Sequence, residues 1–63
     1  MNKLRYFRLF FAEKSLDELA RVVGISNAKL SRAERGFARL SENEKELAAK
    51  ALGVEIEAVF PEK

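Results

Sequence analysis

The sequence predicts an all-α fold, a bundle of five short helices in one domain over residues 1–63. Three observations predict it. Two Ser-x-x-Glu capping boxes, Ser15 to Glu18 and Ser41 to Glu44, mark helix starts, since each pair satisfies backbone N–H groups that a first turn leaves free. Gly24, Gly36 and Gly53 fall where helices would end. No stretch alternates apolar and polar residues as a half-buried strand would.

The elements follow in order. Residues 3–13 carry Leu4, Phe7 and Phe11 at helical spacing, with Tyr6 and Phe10 beside them. That spacing assigns Phe7 and Phe11 to the core and leaves Phe10 exposed. So many rings together also raise stacking on single-stranded nucleic acid, for which core packing is the better account. The second helix begins at Leu16, turns Leu19, Ala20 and Val23 inward, and stops at Gly24. Ser26 caps a third helix over residues 27–35. Leu30, Ala33 and Glu34 share its inner face, continued by Phe37, while Asn27, Ala28, Ser31, Arg32 and Arg35 face outward. A fourth helix runs from Glu42 to about Leu52 with Leu47, Ala48, Ala51 and Leu52 as its inner stripe. Val54, Ile56, Val59 and Phe60 form a last short helix before Pro61.

Composition removes several functions. The chain has no Cys and no His, so disulfides, thiolate zinc sites, most transition-metal sites and most nucleophilic triads are excluded. No enzyme activity, metal or cofactor is expected. No apolar run approaches the roughly 20 residues of a membrane span, and Arg5 and Arg8 interrupt the amino-terminal apolar stretch where a signal peptide would be continuous. A cytoplasmic location is the expectation. The charge is unevenly spread: residues 1–39 hold nine Lys/Arg against four acids, and residues 40–63 hold three against six. A basic front and an acidic back suit a protein that meets a polyanion on one side.

The segment from Ser15 to Gly36 carries the functional signal. Ala20, Gly24, Ile25 and Leu30 have the spacing of two helices crossing over a three-residue turn. Ala20 lets the helices approach, Gly24 supplies the positive φ of the turn, and Ile25 and Leu30 fill the angle between them. This is the layout of a DNA-reading helix-turn-helix.

Leu19-Ala20, Gly24-Ile25-Ser26, Leu30-Ser31, Glu34-Arg35-Gly36, Ala51-Leu52-Gly53-Val54 and Phe60-Pro61, with Leu4 and Arg8, together resemble the lambda-repressor-like, Cro/Xre-type family of bacterial and phage DNA-binding domains. The resemblance covers nearly the whole chain. It implies a five-helix bundle and sequence-specific control of transcription, by a repressor. One recognition helix reads too few base pairs to specify a site, so a weak homodimer on a pseudo-palindromic double-stranded operator is expected. It also implies that Arg8 partners the inward-facing Glu34, which needs a partner once buried. The chain departs from the family pattern in four ways. Leu16 stands where a phosphate-contacting Gln is usual, and the turn after the first helix is one residue longer. Leu40 replaces a frequent Pro. Glu42 and Glu44 lie at a helix start that in relatives approaches the DNA backbone.

Roles on the third helix follow from its outward face. Asn27 has the amide that pairs with adenine N6 and N7, and Ala28 can meet a thymine methyl. Arg32 either reads guanine O6 and N7 or holds a phosphate. Lys29 is open to base or phosphate contact, and Ser31 either reaches the groove or bonds back to its own helix. Ser26, Arg35 and Arg39 are phosphate contacts, setting register and not sequence. Val54, Ile56 and Val59 are the expected dimer surface, with Ile56 the exposed member, because Val54, Ile56, Val59 and Phe60 offer more apolar surface than one short helix can turn inward. The competing reading keeps the fold as a protein-interaction module, antitoxin-like or an adaptor, with little affinity for DNA. Leu16, Ala28 and the acidic carboxyl half favour it.

Overall fold

Serine side chains set the frame of this fold. In the computed structural model, which describes residues 2–61, Ser15, Ser26 and Ser41 each hold extended backbone and each starts a helix. The Ser15 hydroxyl accepts from the Glu18 N–H at 3.1 Å, and the Glu18 carboxylate accepts from the Ser15 N–H at 2.9 Å. Ser41 and Glu44 repeat the arrangement at the same distances. The Ser26 hydroxyl accepts from the Lys29 N–H at 3.1 Å. The result is all-α. Helix α1 (Leu4–Tyr6) runs on as a π-helical segment (Phe7–Phe11), followed by α2 (Leu16–Val23), α3 (Asn27–Glu34), α4 (Glu42–Leu52) and α5 (Ile56–Val59).

The two capping boxes make an acid-sensitive prediction. The Ser15 and Ser41 backbone N–H groups hold the Glu18 and Glu44 carboxyls below the ordinary glutamate value. A folded-state value below the unfolded one stabilises the fold above the unfolded pKa and is lost as pH falls through the folded value. The thermal midpoint, followed by helical circular dichroism, should therefore drop as pH falls below about 4.3. Glu18→Gln keeps the cap geometry without the titration, so its midpoint should fall less over that range. Parallel curves for parent and variant would rule out this contribution.

One core unites the helices: Leu4, Leu19, Ala20, Val23, Leu30, Ala33, Leu40, Ala48, Leu52, Val59 and Phe60. Helix α2 lies mainly against α4 and α3. Leu40, where the resembled family often has Pro, is a buried core residue that anchors the loop into α4. Asn2 ties the amino end down: its side chain accepts from the Leu4 N–H at 3.0 Å and donates to the Ala33 carbonyl at 2.9 Å. The Lys3 N–H reaches the Val59 carbonyl at 2.8 Å, which brings the start of the chain onto α5.

Four expectations about burial are corrected. Phe11 is exposed: the Ala12 N–H bonds the Phe7 carbonyl, a wide turn with one residue more than an α-turn, so Ala12 and not Phe11 packs beside Phe7 on the core. Phe37 is exposed, because α3 ends at Glu34 and the chain reverses, with the Phe37 N–H bonded to the Arg32 carbonyl at 2.8 Å. Leu47 is exposed, and the buried residues of α4 are Ala48, Ala49 and Leu52. Val59, assigned to a dimer surface, is wholly buried, and Val54 and Ile56 are half-buried against the core. The small bundle needs that short helix as its floor, so Ile56 is not the protruding residue expected of it.

Among the described residues, no helix is long and apolar enough to cross a membrane.

Candidate nucleic-acid interface

The site is built on the turn between α2 and α3, residues 24–26. Gly24 has φ 86° and ψ 30°, a conformation that costs a side-chain-bearing residue energy. There its N–H bonds the Ala20 carbonyl at 2.8 Å, and the next N–H, of Ile25, shares the same oxygen at 3.0 Å. Both spare donors of the turn are thereby satisfied. Ala20 is buried at the junction and Ile25 packs on the core from the turn. The direction of α3 is thus fixed by a short connection and a filled corner.

Leu30 and Ala33 pin α3 to the core. Asn27, Ala28 and Arg32 stand exposed on its other side, while Lys29 and Ser31 are half-buried at its edges. Ala28 and Arg32 are one turn apart and share a face. Ser26 is exposed at the helix start, and Arg35 and Arg39 are exposed at and beyond its end. The Arg35 guanidinium lies over the Phe37 ring, 5.7 Å from its centroid. Neither Arg32 nor Arg39 forms an ion pair among the described residues.

Two of the expected contact residues already have partners. The Asn27 amide donates to Asp17 Oδ1 at 3.2 Å, and the other oxygen of Asp17 receives Arg21 at 2.6 Å. Lys29 Nζ donates to Glu44 Oε2 at 3.2 Å. Glu44 therefore caps α4 and balances Lys29 at once, and both bonds hold its carboxyl in the charged form, the Ser41 N–H foremost. Sequence reasoning missed Asp17 and Arg21 as members of this surface, and it placed Glu44 near the DNA backbone without its bond to Lys29. The four-residue spacing of Asp17 and Arg21 was a readable signal. The reach from Asp17 to Asn27, and from Glu44 to Lys29, depends on how helices pack and has no local signature.

Arg8 and Glu34 brace the far end of α3. Arg8 Nε donates to Glu34 Oε2 at 2.6 Å and Nη2 to Oε1 at 3.2 Å, a two-pronged pair with side chains 10% and 5% exposed. The remaining Arg8 nitrogen, Nη1, donates to the Lys14 carbonyl at 3.1 Å. This bond holds the stretch after the π-helical segment, where Glu13 takes a positive φ of 54°.

No protein-family model, no curated protein and no solved structure matches this chain.

Proposed function

We propose that this chain is a double-stranded DNA-binding regulator of transcription, a repressor of the Cro/Xre kind, that lays α3 in the major groove. The observation that carries the reading is Arg32, exposed and in no ion pair among the described residues, beside Ala28 and Asn27 on the exposed side of a helix whose direction is fixed by the Gly24 turn. An exposed arginine without a partner on such a helix can present its fork to guanine O6 and N7. Asn27 spends one amide hydrogen on Asp17. That leaves one N–H and its oxygen, the donor and acceptor that adenine requires. Ala28 leaves room for a thymine methyl. On this reading Ser26, Arg35 and Arg39, exposed at the start, end and beyond the end of α3, contact phosphates, and Lys29 would join them only by exchanging Glu44 for a phosphate.

The neutralised Lys29 and the acids of α4 favour the second reading, a protein-interaction module with weak DNA affinity. Selection of bound fragments from random double-stranded DNA, at stated salt, separates the two. A defined site supports the regulator. Retention no better than that of an unrelated protein with the same charge rejects it. Arg32→Ala is then expected to weaken binding to the selected site by about 1–3 kcal/mol and to relax preference at one base pair, with Asn27→Ala acting likewise at a neighbouring position. Equal loss on every sequence would move Arg32 to the phosphate contacts.

A further inference from the structure

Asp17, in the first turn of α2, reaches across to the first residue of α3. Its Oδ1 accepts from the Asn27 amide at 3.2 Å, and its Oδ2 accepts from Arg21 Nη2 at 2.6 Å. Both carboxylate oxygens are engaged, one across the turn and one along α2. Leu16, the residue before it, packs on the core and has no group to bond the amide. Asp17, Arg21 and Asn27 are all exposed, and none of them belongs to the core.

We propose that Asp17 sets the base choice of Asn27, adenine over guanine; the inference rests on the DNA-binding reading of α3. An amide that nothing holds can rotate and turn either end to a base edge. With one N–H given to the carboxylate, the nitrogen end of Asn27 is fixed towards Asp17. The group retains one donor and one acceptor. Adenine offers the matching pair in the major groove, the N7 acceptor and the N6 donor. Guanine offers two acceptors there, O6 and N7, and so needs two donors. The held amide has one donor left, and its oxygen would face an acceptor, leaving both unsatisfied. Freed from Asp17, the amide can turn both N–H groups to guanine. Arg21 holds the second carboxylate oxygen and so fixes the rotation of the group that holds Asn27. Asp17 is a positioning residue, acting on the base through Asn27. Its negative charge works against the approach of phosphates, so its effects on selectivity and on affinity have opposite signs.

Selection from random double-stranded DNA at one stated salt, with affinities then measured on the selected site and on its adenine-to-guanine form, tests this. The parent is expected to prefer adenine at the position that Asn27→Ala relaxes. Asp17→Ala should lower that preference about fivefold, the net size of roughly one hydrogen bond, and leave the position read by Arg32 unchanged. Its affinity for unrelated DNA should rise, and its helical circular dichroism should match the parent's, since the side chain is exposed. Asp17→Asn keeps an acceptor oxygen and should stay within about twofold of the parent's preference. In an Asn27→Ala background, Asp17→Ala should change preference at no base pair. The inference falls, with the DNA-binding reading intact, if Asp17→Ala keeps the full adenine preference or weakens binding to every sequence alike. It falls equally if Asp17→Asn behaves as Asp17→Ala does, which would assign the effect to charge. A parent that selects no site overturns the DNA-binding reading and this inference together.

Discussion

Glu34→Ala is expected to leave the chain unfolded or close to it at room temperature. The reason lies in Arg8, whose guanidinium is taken from water and held by two bonds to Glu34 and one to the Lys14 carbonyl. Removing the carboxylate leaves a permanent charge at a site with side-chain exposure of 10%. Breaking a buried pair from one side costs about 3–5 kcal/mol. A domain of this length has a total stability of only roughly 3–9 kcal/mol, so the loss is of the same order as the whole. The pair itself need not be stabilising relative to apolar packing. Arg8→Met combined with Glu34→Leu should recover most of the lost stability, because it removes both charges and fills the volume. Urea melts of the parent, the single variant and the double variant decide it. A Glu34→Ala midpoint equal to the parent's would show that Arg8 is not held as the structure has it.

The parts of this fold that were legible in the sequence are those set by local chemistry. Ser15 with Glu18, and Ser41 with Glu44, announce helix starts because every atom of the cap lies within four residues. Gly24 and Gly53 announce ends because left-handed backbone, at φ 86° and 77°, selects glycine. The errors have a different origin. Phe11 was misplaced by a π-helical turn that α-helical periodicity cannot represent, and Phe37 by extending a helix periodicity past its last turn. Leu47 was misplaced because the buried face of α4 runs through Ala48, Ala49 and Leu52 and leaves Leu47 at its edge. At the candidate site, the outward residues of α3 were readable from the inward ones. The acids that answer Asn27 and Lys29 were not, since Asp17 and Glu44 belong to neighbouring helices and their reach is decided by packing.

Salt should act on DNA binding more strongly than any single substitution in the reading face. Arg32, Arg35 and Arg39 are exposed and form no ion pair among the described residues, whereas Lys29 is occupied by Glu44. Two copies on one operator would then bring roughly six positive charges to the groove and its rim, base-reading and phosphate-bound alike, releasing a like number of counterions and giving a slope of log affinity against log salt near −5. Between about 50 and 200 mM salt the affinity should fall on the order of a thousandfold. One copy per site would show about half that slope. Glu44→Gln sharpens the test, because glutamine preserves the capping box while giving up the charge that holds Lys29. Freed on each of two copies, Lys29 adds two phosphate contacts and should steepen the slope to about −7. An unchanged slope in Glu44→Gln would mean that Lys29 does not reach the DNA backbone. A parent whose affinity barely responds to salt would remove the polyanion from this face altogether and leave the protein-interaction reading.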